Sequence, residues 1–264
     1  MLVKGFLNSD IIGRLMQHRA EIVVVDESES TNTQAFGLVS RAELRPPFVL
    51  LARRQSAGHG RLGRRWFSEE GASLCMSAVV AIPQSARAIE SFTVRAGVEI
   101  CSRLRREFGA DVFLKWPNDI YDSEGRKIAG MLAELFIEGG VRTVVFGVGI
   151  NYNLAEVAAE KIPPELVGNI RDILSVSSRD FTMDALAAAV ADGAYAAADS
   201  LDGANFAESF ADFDWLNGRS VEFTIGNERI SGVARGVDDL GHLLLETDSG
   251  YLRVLKSGEA TTKR

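Results

Sequence analysis

Five arginines, Arg53, Arg54, Arg61, Arg64 and Arg65, fall within thirteen residues of a chain whose formal net charge is -7. Glycines 58, 60 and 63 sit among them, and no acidic residue occurs from Ala52 to Ser68. Guanidinium forks match the paired oxygens of carboxylates and phosphates, and glycine lets a backbone approach a ligand closely. The stretch has the composition of an anion clamp; taken alone, a solvated basic loop fits it as well. Lys115-Trp116-Pro117-Asn118-Asp119 then places a cation, a rigid turn and two polar side chains in five residues. Lys127 opens a strand-like run that contains Gly130, and the next such run contains Gly147 and Gly149. A glycine inside a strand often marks close approach by a ligand or a second backbone. Three on adjacent strands would leave a narrow slot for a flat bicyclic ring. Upstream, Ser30-Thr31-Asn32 reads as a helix cap, or as hydroxyls and amide dipoles offered to a polar ligand at a helix start.

In this order, Ser30-Thr31-Asn32, the stretch from Gln55 to Trp66, the Lys115–Asp119 box, Arg126-Lys127-Ile128-Ala129-Gly130-Met131-Leu132 and Phe146-Gly147-Val148-Gly149-Ile150-Asn151 resemble the biotin protein ligases. The resemblance runs from about Ile22 to the C-terminus, and the Lys115–Asp119 box is its most specific element. It implies that biotin is met by Ser30, Thr31 and Asn32 at its ureido ring, and by Gln55, Gly58, His59, Gly60 and Arg61. Gly130, Gly147 and Gly149 would form the slot for its rings. The ATP side would comprise Arg61, Arg64, Trp66 against adenine, Lys115, Asn118, Asp119 and Asn151. Lys127 would lie at the reacting carboxylate and α-phosphate. Arg61, Lys127 and Asp119 are the catalytic candidates, with Asp119 orienting or deprotonating the acceptor amine. Magnesium would arrive with the phosphates, with Asp119 as a candidate ligand; it takes only one or two carboxylates, so no acidic cluster is required. His59 departs from the family, which usually has arginine there, and implies a weaker hold on the adenylate.

The elements that position these residues are legible in outline. Glu21–Val25 reads as a strand; Thr31 with Gln34 has the form of a capping box for a helix through about Leu44, stopped by Pro46-Pro47. Phe48–Arg53 and Ser73–Ile82 read as strands flanking the arginine-glycine loop, which is thereby exposed at a sheet end. Arg87–Phe108 has largely helical apolar spacing and stops at Gly109. Val112–Trp116, Lys127–Ile137 and Val141–Ile150 read as strands joined through turns at Asp122–Gly125 and Gly139-Gly140. Phe181–Leu201 is alanine-rich and reads as one helix packed closely on a neighbour. From about Trp215 the character changes to short strands, Ser220–Ile225, Glu228–Gly236, His242–Glu246 and Tyr251–Lys256, separated by turns at Gly226-Asn227, Asp238–Gly241 and Asp248–Gly250. The expected fold class is α/β (α+β): a mixed β-sheet catalytic domain with flanking helices over residues 1–214. A small all-β module over 215–264 follows, which the resemblance interprets as an SH3-like barrel.

Length and composition limit the alternatives. With 264 residues and 46% hydrophobic content, the chain can bury one substantial core and a small satellite. Its two cysteines, Cys75 and Cys101, lack metal-ligand spacing and read as buried thiols, with a single disulfide as the second reading. No apolar run approaches the roughly 20 residues of a membrane span, and Met1–Ala20 lacks a signal-peptide core, so cytoplasm is the expected location. A pI near 5.2 disfavours broad nucleic-acid binding. Fewer than thirty residues precede Ser30, so no DNA-binding module is expected. The implied activity adenylates biotin with ATP and transfers it to a lysine of a biotin carboxyl carrier protein domain of a biotin-dependent carboxylase. Edge-strand pairing would give a homodimer. A lipoate-type ligase and a non-catalytic biotin-binding protein are the competing readings.

Overall fold

Phe48-Val49-Leu50-Leu51-Ala52 has no polar alternation, and a strand of that kind has to be covered on both faces. All five residues are fully buried. The computed structural model describes residues 7–86, 88–225, 228–258 and 260–262. The chain begins α1 (Ser9–Leu15), β1 (Glu21–Ser28), α2 (Thr31–Ser40), β2 (Phe48–Gln55) and β3 (Ser73–Ile82). It continues α3 (Phe92–Phe108), β4 (Phe113–Lys115), β5 (Asp119–Tyr121), β6 (Lys127–Glu138), β7 (Val141–Asn151), α4 (Met183–Asp199) and α5 (Phe206–Ala211). Five strands follow: β8 (Ser220–Ile225), β9 (Glu228–Val237), β10 (Leu243–Thr247), β11 (Leu252–Leu255) and β12 (Ala260–Thr262).

The first seven strands form one mixed sheet in the order β1-β2-β3-β7-β6-β5-β4. Only β1 and β2 pair in parallel, with α2 as their crossover; the other neighbours are antiparallel. Val49 and Leu51 face the main core with α3 and α4, while Phe48, Leu50, Val79 and Val145 pack beneath Ala35, Leu38 and Val39 of α2. The expected close packing of the alanine-rich helix is met: a Cβ on Gly193 of α4 would stand 3.2 Å from the backbone of Ile100 on α3. The second sheet is antiparallel, β11-β10-β9-β8-β12. It joins the first through Trp116, whose indole N–H donates to the Gly241 carbonyl at 2.9 Å and whose ring meets Phe223 edge-on. Both cysteines are free and buried, so the disulfide reading falls; burial pushes each thiol up to about 12.

Several boundaries differ from the sequence reading. The capping box does not form: Ser30 occupies the cap position of α2 without a side-chain bond. The amide of Thr31 donates instead to Gln55 Oε1 at 2.8 Å, so β2 caps the helix. α2 also ends at Ser40, short of Leu44. α3 begins at Phe92 after a 3₁₀ turn over Ile89–Ser91, later than expected; Arg87 lies outside the described residues, as does the Gly226-Asn227 turn. α1 was not anticipated. Asn8 caps it, and it is tied to α4 by Asn8 N–H donating to Asp184 and Gln17 N–H donating to Asp192, each at 2.8 Å. The short strands β5 and β12 also escaped the sequence reading.

Candidate active site

Register builds the floor of the site. Cys75 of β3 lies opposite Gly149 of β7, Gly149 opposite Gly130 of β6, Gly130 opposite Asp119 of β5, and Asp119 opposite Lys115 of β4. Residues in one cross-strand row share a face. The row therefore carries a flat glycine centre with Asp119 and Lys115 at one end. A parallel row sets Ser77 opposite Gly147 and Gly147 opposite Leu132. This face also carries α2, whose first turn supplies Ser30, Thr31 and Asn32.

Above the floor, the arginine-glycine stretch folds back as a narrow hairpin. Gly60 N–H donates to Arg64 O and Trp66 N–H to Gly58 O, each at 2.8 Å, with His59 bridged to Arg65. Its tip turns through Leu62 and Gly63, both with positive φ, and leaves the Leu62 side chain 81% exposed. Floor and hairpin enclose a cavity of about 340 Å³.

Nearly every expected site residue lines this cavity: Ser30, Thr31, Asn32, Gln55, His59, Gly60, Arg61, Arg64, Trp66, Lys115, Asn118, Asp119, Lys127, Gly130, Gly147, Gly149 and Asn151. Gly58 does not line it. It is buried at the base of the hairpin, where a Cβ would meet Gln55 Nε2 at 2.6 Å. Asn151 lines the wall, but its amide nitrogen donates to the Lys127 and Arg171 carbonyls and so anchors the start of β6.

The charged groups form one chain. Arg61 Nη1 donates to Asn118 Oδ1 at 3.0 Å, Asn118 Nδ2 donates to Asp119 Oδ1 at 3.2 Å, and Lys127 Nζ stands 2.8 Å from that oxygen. Lys115 Nζ donates to the Tyr121 hydroxyl at 3.2 Å. The polar end is equally connected. Ser77 Oγ donates to Asn32 Oδ1 at 2.6 Å and lies 2.8 Å from Thr31 Oγ1, which is 3.2 Å from Gln55 Oε1. Asn32 Nδ2 donates to Glu134 Oε2 at 2.7 Å.

The glycine slot exists, but the protein's own side chains fill it. A Cβ on Gly149 would come within 2.4 Å of the Trp66 indole, and one on Gly147 within 2.4 Å of Asn32 Oδ1. The indole lies against the floor at Gly149 and Gly130, with its N–H buried and without a partner. A buried orphan donor costs free energy until an acceptor arrives. Ser77 and Glu134 escaped the sequence reading. A serine inside the otherwise apolar run Leu74–Ile82 was the available signal for the first; only the contact with Asn32 reveals the second. A second cavity of about 210 Å³ shares Arg61, Pro117 and Asn118 and reaches Glu90, Gly241 and Lys256.

Residues 24–151 match the profile of the Biotin/lipoate A/B protein ligase family, and residues 217–260 match that of the Biotin protein ligase C terminal domain. The Bifunctional ligase/repressor BirA of Escherichia coli is 31% identical over 258 residues, 96% of this chain and 77% of that protein. The Biotin--[acetyl-CoA-carboxylase] ligase of Mycobacterium tuberculosis is 28% identical over 253 residues, 92% of this chain and 90% of that one. The fold is shared with the biotin protein ligase of Aquifex aeolicus solved in complex with biotin and ATP. The TM-score is 0.75 and the identity 24%, covering 92% of this chain and 99% of that one.

Proposed function

The chain belongs to the Biotin/lipoate A/B protein ligase family, and we infer from that premise how its cavity does the work of a biotin ligase. The activity activates biotin with ATP as biotinyl-5'-AMP and transfers the biotinyl group to a lysine of a biotin carboxyl carrier protein domain. In the first step the biotin carboxylate attacks the α-phosphorus of ATP, and the bond to pyrophosphate breaks with its electron pair. Two anions must approach each other. Arg61, Arg64 and Lys127 offset that repulsion and stabilise charge developing on the phosphate oxygens. One observation carries this reading: Arg61 and Lys127, from distant parts of the sequence, line a single cavity and are joined through Asn118 and Asp119.

Biotin's ureido group fits the polar end, where Ser77, Asn32 and Thr31 hold donors and acceptors in fixed relation. Its binding displaces the indole of Trp66 from the glycine floor and leaves that ring free to meet adenine. Asp119 is the one carboxylate among the described residues lining the cavity, and no group of three or more acidic, histidine or cysteine residues among them could hold a metal ion. Magnesium therefore fits as an ion carried in by the triphosphate, where it would neutralise phosphate charge.

The finer assignments rest on the same reading. The division at residues 214 and 215 is supported by two sheets that share no strand. A homodimer is supported by the outer half of β6, which β5 leaves unpaired beyond Gly130 and which exposes Leu135 and Ile137. A single monomeric species in sedimentation at high protein concentration would contradict it. No described helix is long and apolar enough to cross a membrane, and two unpaired buried thiols suit a reducing compartment such as the cytoplasm.

The test is incubation of the chain with ATP, magnesium, biotin and a panel of carrier domains, read by mass. One carrier gains one biotinyl group, and the gain requires both ATP and the acceptor lysine. Equal or better modification with lipoate contradicts the substrate; no modification of any carrier contradicts the activity.

A further inference from the structure

The amide of Asn32 has two unlike edges, an acceptor oxygen and a donor nitrogen, and what it offers a ligand depends on which edge faces the floor. The oxygen does: a Cβ on Gly147 would stand 2.4 Å from Oδ1 and 3.0 Å from Nδ2. Ser77 Oγ, from a fully buried residue, donates to that oxygen at 2.6 Å. The nitrogen is turned the other way, donating to Leu132 O at 3.3 Å and to Glu134 Oε2 at 2.7 Å. A carbonyl and a carboxylate can only accept, so the edge that meets them has to be the N–H edge. Asn32 itself is buried, whereas Glu134 is exposed on β6 and does not line the cavity.

We propose that Glu134 is a positioning residue that, from outside the cavity, fixes the donor and acceptor polarity of its polar end. This rests on the ligase reading above and adds to it the group that selects a ligand N–H over a ligand carbonyl at Gly147. Leu132 O favours the same amide orientation, but its bond is the longer of the two. A bond to an ionised acceptor is shorter and roughly twice as strong as a neutral one, so Glu134 holds the amide more firmly than the carbonyl does. An amide oxygen accepts two bonds, and an N–H arriving over Gly147 can therefore join Ser77 there. With the amide turned over, Nδ2 would face that N–H instead. Two donors would then meet in a buried place, and each would lack an acceptor.

A cyclic urea carries an N–H on either side of its carbonyl and so matches a fixed acceptor on the floor. A dithiolane ring has no N–H and gains nothing from the same arrangement. A site that presents a fixed acceptor discriminates by leaving that acceptor unpaired when the wrong ring enters. The influence of Glu134 runs through Asn32 alone, at the polar end. The bonds that join Arg61, Asn118, Asp119 and Lys127 form a separate chain around the reacting groups. Glu134 therefore governs the hold on biotin and leaves the rate of the chemical step to that other chain.

The experiment measures biotin binding to the whole chain by calorimetry, and KM and kcat of adenylation by pyrophosphate release. The variants are Glu134→Gln, Glu134→Lys, and Glu134→Lys combined with Asn32→Asp. Glutamine keeps a neutral acceptor for Nδ2 and should hold biotin within roughly threefold of wild type. Lysine puts a donor there and turns the amide over, so biotin should bind roughly 10- to 100-fold more weakly, with kcat at saturating biotin and KM for ATP unaltered. Aspartate at position 32 has an oxygen on both edges, one for the new ammonium and one for the floor, and the double variant should regain about fivefold or more of the lost affinity. Wild-type affinity in Glu134→Lys, a loss in Glu134→Gln as deep as in Glu134→Lys, or no recovery in the double variant overturns the proposal. So does a loss of affinity that tracks a fall in thermal stability, since Glu134 would then act on folding. Failure of the wild type to bind biotin at all removes the ligase reading, and this inference with it; equal binding by wild type and Glu134→Lys removes this inference alone.

Discussion

Arg61 comes from a hairpin turn and Lys127 from the first position of a strand, yet Asn118 and Asp119 link them side chain to side chain. Charge held in place before reaction costs no reorganisation when the transition state forms. Losing one such contact typically costs about 3 to 4 kcal/mol. Arg61→Ala and Lys127→Ala should each slow adenylation roughly 100- to 1000-fold, measured as pyrophosphate release in a single turnover; unchanged rates in both would remove them from the chemistry. Ser77→Ala should act differently. It removes a buried hydroxyl at the polar end, so the KM for biotin should rise roughly 5- to 30-fold with the KM for ATP unaltered. A change in the ATP constant alone would place Ser77 elsewhere. The charged residues were legible because clustered arginines in an acidic chain stand out. Ser77 was not, because a small residue in an apolar strand is ordinary until register places it against Asn32.

At the scale of elements, the sequence showed that strands, glycines and a basic loop exist, and their functional meaning came from pairing. Gly130 and Gly149 acquire a shared role only once β6 lies beside β7 in the register that sets them opposite each other. The capping box failed as a reading because the Thr31 amide donates to Gln55, on a different element. Such a contact has no local signature. The hairpin over Gly58–Trp66 is held at its base by main-chain bonds, while Leu62 at its tip touches little. An apolar tip on a narrow hairpin is suited to close over a filled cavity. Cleavage by trypsin at Arg61, Arg64 or Arg65 should slow at least severalfold when biotin and ATP are both present. Equal cleavage with and without them would make the hairpin a fixed wall.

At the scale of the whole molecule, the two sheets meet at a junction that carries its own pH dependence. Asp214 is half-buried there and accepts a bond from Leu216 N–H at 2.8 Å, while its Oδ2 atom is shut away from solvent without a partner. Burial pushes this carboxyl up to about 6 from its ordinary 3.8. The unfolded chain therefore ionises Asp214 more readily than the folded one. The cost to stability is absent below pH 3.8, grows towards pH 6 and is constant above. Asp214→Asn should raise stability at pH 7.5 by roughly 1 to 3 kcal/mol, with the gain fading towards pH 4 in thermal denaturation. A gain independent of pH would show that packing, not ionisation, is responsible. The two-sheet architecture was readable from the change to short strands after Trp215, whereas α1 and the Trp116–Gly241 link were not, being set by contacts distant in sequence. The central claim is that one cavity brings a carboxylate and a nucleotide together. Its most direct test is mass analysis of the small molecule retained by the chain after incubation with biotin, ATP and magnesium, with no carrier present. Retained biotinyl-adenylate, lost in Arg61→Ala and Lys127→Ala, is the result expected here; recovery of unreacted biotin and ATP alone from the wild type would contradict it.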